Sequence, residues 1–343
     1  MIHSKKASDL FLSEGQAAAM RFNGSIQGLQ ECVSPKQFSD FLEEVLLPRQ
    51  KKIFEEEGDL DFGYSTKNGL RFRINLAKQQ GRRSLVARPL AYGNFLFEEL
   101  GVPSLLKEAT KHRSGIILVT GATGSGKSTT LAAMIHHINK TRAVHVVTIE
   151  DPIEFVHIED KAKIMQREVG SDTASFHEGL RRVVRQSPDV IMIGEMRDKQ
   201  SIQVAMAAAL TGHLVLATLH TIDASQTLQR LMSYFPEHSR SQVAVDLSLS
   251  LRAIVSQRLI PLKDASGRVL ACEILTNTPA VGQLLREMQY SHLEDLMRSS
   301  RTPELQTFNR SLVQLVQEQK IAKDVPMAYS GNPDEFQLLL QGM

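Results

Sequence analysis

The chain has little of several residue types that would place it in a particular class of protein. Its 343 residues include no tryptophan, two cysteines and 6% aromatic residues. The two cysteines, Cys32 and Cys272, are too few for a four-thiolate zinc site and too far apart for a C-x-x-C pair, although histidines could complete a site of another kind. We therefore expect both to be buried free thiols.

Net charge and long apolar runs are also lacking. The formal charge is +2 at pH 7, which gives no general attraction to nucleic acid or to an anionic membrane surface. No stretch approaches the roughly 18 uninterrupted apolar residues that indicate a membrane span, and the N-terminus lacks the apolar segment of a signal peptide. The sequence predicts a cytoplasmic protein with no transmembrane segment and no nucleic-acid partner.

The composition that is present is ordinary for a globular protein, with 42% apolar and 23% charged residues. A chain of this length exceeds what one hydrophobic core usually organises, so we expect two domains. We place an α+β domain at residues 1–97, a linker at 98–112 and a second domain at 113–343. The segment 91–112, with Gly93, Gly101 and Pro103, is the expected hinge.

The first domain is predicted to combine short strands with two helices. Asn23-Gly24 separates two strand-like runs and favours a tight hairpin turn. Ser34-Pro35 is typical of a helix start, and a charged helix should follow around residues 51–57. Further strands are expected near residues 60–64, 70–76 and 85–90, with Asn68-Gly69 joining the first two.

The second domain alternates short apolar runs with helical stretches, which is typical of a mostly parallel sheet with crossover helices. The expected strands are residues 116–119, 144–149, 190–193 and 214–219. A hairpin is predicted around residues 261–274, with its turn at 264–267. The rest of the last hundred residues is predicted to be mainly helical.

A phosphate-binding loop follows the first of these strands. Residues 121–130 read GATGSGKSTT and match the pattern G-x-x-x-x-G-K-[ST] between a strand-like run and a helix-like run. Glycines allow the backbone N–H groups to face a phosphate, Lys127 reaches the outer phosphates, and Ser128 offers its hydroxyl to Mg²⁺. The residues expected to bind ATP are Gly121, Thr123, Gly124, Ser125, Gly126, Lys127, Ser128 and Thr129.

Polar residues follow three other strands of the predicted sheet. Ligands collect at the carboxyl ends of parallel strands, so these positions are candidates for catalysis. Glu150, Asp151 and Glu154 follow one strand, and one of these carboxylates could orient or deprotonate the attacking water, although such residues are also common in solvated loops. Glu195 follows the next strand, where many phosphate-loop enzymes hold Mg²⁺ with an aspartate.

Histidines and arginines supply further candidates. His213 and His220 bracket one strand, and their spacing predicts that they lie on opposite faces of it. Each of them could equally be a structural residue. Several arginines fall in the late strands of the first domain, where they could form a site or simply an exposed strand face: Arg71, Arg73, Arg82, Arg83 and Arg88.

These motifs together resemble the secretion ATPase superfamily, in particular the type IV pilus retraction ATPases of the PilT/PilU group. The phosphate loop, TIEDPIEF at 148–155, DVIMIGEMRD at 189–198 and TGHLVLATLHT at 211–221 are similar to that family's Walker A, Asp box, Walker B and His box. The resemblance continues through QREVG at 166–170 and two later stretches, 246–261 and 305–315, which are closest to PilU. Residues 278–287 match the corresponding PilT helix only in part.

The resemblance implies an α/β protein with a PAS-like N-terminal α+β domain and a RecA-like P-loop ATPase domain with a helical C-terminal region. It implies a homo-hexameric ring that hydrolyses ATP with Mg²⁺. Lys127 and Ser128 would hold phosphate and metal, Glu154 would be the catalytic carboxylate, and Glu195 would position metal and water. In the same comparison His213 and His220 would sense or shape the interface, and Arg88, with Arg82, would approach the γ-phosphate.

The function that this resemblance implies is a motor for pilus retraction and twitching motility, with the accessory PilU type as one form of it. Its expected partners are an inner-membrane pilus platform protein and a second PilT-like ATPase, with the chain held peripherally at the inner membrane. Two alternatives stay open. The chain could serve a related secretion or conjugation system, or it could be a largely regulatory subunit of another ATPase ring.

Overall fold

A computed structural model describes residues 7–22, 24–92 and 95–342 of the chain. The chain divides into two compact units. The first contains the N-terminal residues up to 93 together with residues 150–158 and 166–175, and the second contains the remainder. Two short segments from the middle of the sequence therefore belong to the N-terminal unit.

Numbered along the chain, the strands and helices of the described residues have the following bounds. The strands are β1 (Asp9–Ser13), β2 (Ala17–Phe22), β3 (Ser25–Cys32), β4 (Asp59–Ser65), β5 (Arg71–Gln79), β6 (Arg82–Pro89), β7 (Ala91–Tyr92), β8 (Gly115–Thr120), β9 (His145–Glu150), β10 (Phe155–Val156), β11 (Lys163–Glu168), β12 (Val190–Ile193), β13 (Leu214–Leu219), β14 (Leu251–Pro261), β15 (Arg268–Thr276) and β16 (Leu305–Gln306). The helices are α1 (Pro35–Val45), α2 (Pro48–Glu57), α3 (Phe97–Leu100), α4 (Leu105–Ala109), α5 (Lys127–Thr141), α6 (Phe176–Val183), α7 (Lys199–Leu210), α8 (Ala224–Ser233), α9 (Glu237–Ser250), α10 (Pro279–Arg286), α11 (His292–Ser299), α12 (Phe308–Gln317), α13 (Pro326–Tyr329) and α14 (Pro333–Leu340).

The first unit is built on a six-stranded sheet in the order β3-β2-β1-β6-β5-β4, and all of its pairs are antiparallel. The predicted hairpin is confirmed, since β2 pairs with β3 up to Phe22 and Ser25, while Asn23 itself lies outside the described residues. Strand β1 was missed by the sequence analysis. Strands β7 and β10 form a separate two-stranded parallel sheet, which joins residues 155 and 156 to this unit.

Helix α1 begins where the sequence predicts. The Ser34 hydroxyl accepts a hydrogen bond from the backbone N–H of Gln37 at 3.3 Å, and the Gln37 side chain accepts one from the Ser34 N–H at 3.0 Å. This reciprocal capping satisfies two N–H groups that have no partner within the helix, and Pro35 suits its first position. The helix then packs Phe38 and Leu42 into the core of the unit.

The second unit contains the sheet order β11-β9-β12-β13-β8-β14-β15-β16. Strands β9, β12, β13, β8 and β14 pair in parallel, which confirms the predicted mostly parallel sheet. Residues 116–119 of β8 are fully buried among neighbours on both sides. The phosphate-loop strand is therefore an interior strand, and its carboxyl end shares one sheet edge with β12 and β13.

The C-terminal region contains more strand than the sequence predicts. The hairpin around residues 261–274 is confirmed, but its first strand, β14, begins ten residues earlier at Leu251 and joins β8 in parallel. The apolar run at 251–260 allows either helix or buried strand by periodicity alone, and pairing with β8 decides the outcome. Helices α12 and α14 pack a small core around Leu312 and Phe336 against this hairpin.

The cysteines correct one expectation. Cys272 is buried in β15, and burial raises the pKa of its thiol to about 12. Cys32 is exposed, so the prediction that both thiols are buried was wrong for this one. It is the last residue of edge strand β3, most of whose side chains face solvent. Among the described residues, no helix is long and apolar enough to cross a membrane.

Candidate nucleotide-binding and catalytic site

The phosphate loop leaves the carboxyl end of β8 through a glycine that no other residue could replace. Gly121 has φ 143°, and a Cβ there would lie 2.5 Å from Ser125 Oγ and 2.6 Å from the carbonyl oxygen of Gln257. The loop then enters α5 at Lys127 through Gly126, which has φ 92° and gives the helix no side-chain cap. A helix start without a side-chain cap, following a glycine-rich loop, is a common anion-binding arrangement.

Two polar groups inside the loop fit a phosphate. Ser125 Oγ is buried and has no hydrogen-bond partner among the described residues. The Lys127 ammonium donates to the carbonyl oxygens of Gly121 and Ala122 at 2.8 and 3.0 Å. The loop therefore folds around a positive charge. The half-buried side chains of Ser128 and Thr129 lie in the first turn of α5, while Thr123 and Gly124 are exposed in the loop. These features fit a bound nucleotide phosphate.

Glu195 lies just beyond the carboxyl end of β12 and has two cationic or polar neighbours. Its Oε2 lies 2.7 Å from Arg197 Nη2 and 3.2 Å from His220 Nε2. Burial raises the pKa of Glu195, but the Arg197 guanidinium and His220 together outweigh burial and hold that pKa below its usual range. Glu195 is therefore ionised at neutral pH, as a ligand for Mg²⁺ or an orienting group for water requires.

The two predicted histidines lie at opposite ends of β13. His220 follows the carboxyl end of the strand and joins Glu195. His213 precedes the strand, about 20 Å away along it, and its Nδ1–H donates to the carbonyl oxygen of Ala208 at 2.9 Å. Of the two histidines, His220 contacts another candidate residue, Glu195, whereas His213 contacts Ala208 and Thr211.

The acidic loop after β9 belongs to the first unit. Glu154 is exposed, while the backbone of each of its two neighbours is fixed by hydrogen bonds to other segments of this unit. The backbone N–H of Ile153 donates to Glu168 Oε2 at 3.2 Å, and Phe155 begins β10, which pairs with β7. Glu150 differs from Glu154, because it is buried and accepts a hydrogen bond from Gln166 Nε2 at 3.1 Å.

The arginines of β6 have different environments. Arg88 donates through Nε to Oδ1 of the buried Asp9 at 2.9 Å, and its Nη2 lies 2.8 Å from the same oxygen, while 62% of its side chain remains exposed. Arg83 is tied to Glu14 through two nitrogens, at 3.1 and 2.8 Å. Arg82 is exposed at the end of the β5–β6 hairpin. Arg88 alone among these three combines a buried anchor with a mostly exposed guanidinium.

Sequence reasoning missed four polar residues that organise these groups. Arg197 lies two residues after Glu195 within the motif at 189–198, so a signal for it was present. Gln166 and Glu168 lie in the stretch QREVG, which was noted without a role. Asp9 carried no signal, because a short N-terminal strand with one acidic residue does not reveal a buried ion pair.

Comparisons with known proteins decide the family. Residues 4–325 match the family described as type II/IV secretion system protein. The chain is 38% identical over 338 residues to the type IV pilus ATPase PilU of Pseudomonas aeruginosa, covering 98% of this chain and 88% of that protein. It is 39% identical over 331 residues to the type IV pilus retraction ATPase PilT of the same organism, covering 96% of each.

The chain belongs to the PilT/PilU group of this secretion ATPase family. A crystal structure of the pilus retraction motor PilT with bound ADP agrees, with a TM-score of 0.89, 39% identity and coverage of 98% of this chain and 96% of that one. The family resemblance and the α/β fold expected from the sequence are thus confirmed. The chain is accordingly an ATPase of the PilT/PilU group.

Proposed function

We propose that this protein is an ATP-hydrolysing motor that promotes type IV pilus retraction. The observation that carries the proposal is the phosphate loop, in which the orphan Ser125 hydroxyl, the Lys127 ammonium and the uncapped start of α5 converge. Near full-length similarity to PilT and PilU supports the assignment of this ATPase to the type IV pilus machinery. We propose a PAS-like domain at 1–97 and a RecA-like ATPase domain at 113–343, with 98–112 as the segment between them; the first compact unit differs from this division, because it ends at 93 and also takes in residues 150–158 and 166–175.

Each candidate residue has a role in this proposal. Lys127 and the loop N–H groups bind the β- and γ-phosphates, and Glu154 orients and deprotonates the attacking water. Ser128 and Glu195 would hold Mg²⁺, which neutralises phosphate charge when bound. Hydrolysis benefits from a cation at the transferring phosphoryl group, and Arg88 is the better candidate than Arg82 because Asp9 holds it in place.

The assembly is proposed to be a homo-hexameric ring. The position of His213 at the far end of β13 from Glu195 suits a role at a boundary between subunits rather than within one site. The proposed partners are an inner-membrane pilus platform protein and, for a PilU-type accessory role, a second PilT-like ATPase. The protein would then work in the cytoplasm, peripherally bound to the inner membrane through the pilus machinery.

The test is pilus retraction in cells that lack their own retraction ATPases. The wild-type chain is supplied alone or with a PilT-like ATPase, and Lys127→Ala serves as the matched control that removes phosphate binding. We expect the wild-type chain to restore retraction in at least one of the two settings. In that setting, the Lys127→Ala variant should add no retraction. Failure in both settings, with stable and ATP-hydrolysing protein, would contradict a role in retraction and leave the ATPase assignment intact.

A further inference from the structure

The stretch QREVG at 166–170 surrounds the acidic loop with hydrogen bonds that the proposed mechanism does not yet use. Within it, Glu168 is 1% exposed, which is unusual for a carboxylate unless it is fully paired. Its Oε1 accepts from the Gly63 N–H at 2.8 Å, and its Oε2 accepts from Arg71 Nη2 at 2.9 Å and from the Ile153 N–H at 3.2 Å. One buried carboxylate thus joins three separate segments of the first unit.

The fit around this carboxylate is close. A Cβ at Gly63 would lie 2.6 Å from both oxygens of Glu168, so β4 approaches it through the one residue without a side chain. The backbone of Glu168 is fixed as well, because its N–H donates to Asp172 Oδ2 at 2.8 Å and its carbonyl accepts from the Asp172 N–H at 2.8 Å. Glu168 therefore has little freedom to move independently of these strands.

Gln166 holds the other side of the same loop. Its Nε2 donates to the carbonyl oxygen of Phe155 at 2.8 Å, and its Oε1 accepts from the His157 N–H at 3.0 Å. The backbone is thus anchored by Glu168 at residue 153 and by Gln166 at residues 155 and 157. Glu154, which lies between these anchors, is exposed.

We infer that Glu168 is a positioning residue for the catalytic carboxylate Glu154, and that it ties the placement of Glu154 to strands β4 and β5. The inference rests on the proposed catalytic role of Glu154. A carboxylate suits this task because both of its oxygens accept, one for Gly63 and the other for Ile153 and Arg71. Glutamine would present an NH₂ group to Gly63 in one orientation and to Ile153 and Arg71 in the other, so the link between β4 and the acidic loop would be broken in both.

The test is a double-mutant cycle with Glu168→Gln and Glu154→Gln, measured by steady-state and single-turnover ATP hydrolysis and by equilibrium binding of a fluorescent ATP analogue. We expect Glu168→Gln to lower kcat about tenfold while the Kd and KM for nucleotide change by less than about twofold, since the phosphate loop is untouched. In the Glu154→Gln background, Glu168→Gln should cause no further loss, because the group it positions is already gone.

The matched control is Glu14→Gln, which breaks another carboxylate–arginine pair of the same sheet without touching the acidic loop. It should leave kcat unchanged. If Glu168→Gln does not fold, Gly63→Ala provides a second variant that crowds the same carboxylate, with the same kinetic expectation. Unchanged kcat in folded Glu168→Gln, or an equal loss in the Glu154→Gln background, would overturn the inference. Normal turnover by Glu154→Gln alone would instead remove the catalytic role from which the inference starts.

Discussion

The phosphate loop and the acidic loop are held in different ways. In the phosphate loop, Lys127 bonds to carbonyls five and six residues before it, and the start of α5 supplies the remaining donors from the same segment. The acidic loop depends on partners far away in sequence, since Glu168 links Ile153 to Gly63, which is 105 residues from it. The conformation of the phosphate loop is thus encoded locally, whereas the placement of Glu154, the proposed catalytic carboxylate, depends on the packing of a whole unit.

This difference separates the expected consequences of substitutions. Changes in the phosphate loop should weaken nucleotide binding and turnover together, because the same groups contact phosphate in the ground state and the transition state. Changes around the acidic loop should lower turnover and leave binding nearly intact. A variant that mixed the two patterns would break the comparison.

The largest effect is expected from Lys127→Ala. Removal of the ammonium that lies within the loop should lower ATP turnover by ~10²-fold or more and also weaken nucleotide binding. Steady-state hydrolysis and a fluorescent-nucleotide titration would measure both. Retained Mg²⁺-dependent hydrolysis in this variant would remove the phosphate loop from the mechanism.

Arg88→Ala should follow, with a loss of ~10²-fold in kcat and little change in nucleotide Kd, because a cation at the γ-phosphate acts mainly in the transition state. Arg82→Ala is the matched control from the same strand and should change kcat by less than about threefold, since the buried Asp9 orients Arg88 instead. Parallel kinetics on the two variants would check this. Equal losses would show that the Asp9 anchor does not select between them.

The smallest effect on activity is expected at Glu273, which belongs to neither loop. It lines a cavity of about 420 Å³ with Arg258 and Glu294, and the Ala224 N–H donates to its Oε1 at 2.7 Å. Burial raises the pKa of Glu273 to about 7, well above the value of an exposed glutamate. The neutral form is therefore favoured in the folded state.

The sign of the pH dependence follows from that shift. The folded-state pKa is above the unfolded one, so the stabilisation from Glu273 is complete below about pH 4.5 and is lost as the pH rises through about 7. At pH 8, Glu273→Gln should raise the free energy of unfolding by about 3 kcal/mol at most, and so raise Tm by several degrees relative to the wild type. At pH 4.5 the same variant should not raise Tm. The control is Glu294→Gln, whose side chain in the same cavity is 61% exposed.

Thermal unfolding of the variants at several pH values would measure this difference. Burial lowers the pKa values of His112, His136 and His137, so their contributions to stability are lost as the pH falls, in the opposite direction. These contributions cancel when variant and wild type are compared at one pH. Equal Tm differences at pH 4.5 and pH 8 would contradict the raised pKa of Glu273.

The sequence sufficed for the features that local physics determines. The strand–loop–helix around Gly121, the cap at Ser34 and the hairpin after Pro261 all depend on residues close in sequence, and their elements lie where predicted. The motif order also sufficed for the family. Local patterns could not reveal that residues 150–158 and 166–175 join the N-terminal unit, because that depends on a buried carboxylate meeting strands about a hundred residues earlier.

The same limit explains the missed strands and the incomplete arginine assignment. Strand β1 is five residues long and only partly buried, so its pattern is weak until β2 and β6 pair with it. The arginines of β6 look equivalent in sequence, and partners distant in sequence distinguish them, among them Asp9 for Arg88 and Glu14 for Arg83. The exposure of Cys32 was missed because it follows from the position of β3 at the edge of the sheet, which the sequence does not reveal.

The most direct test of the separation between nucleotide binding and catalysis is single-turnover hydrolysis by Glu154→Gln. The enzyme is in excess, and the bound fraction of ATP is measured in the same reaction. We expect the variant to bind ATP like the wild type and to cleave it ~10²-fold or more slowly. Cleavage at the wild-type rate would contradict the role of Glu154, and loss of ATP binding would contradict the separation of the two loops.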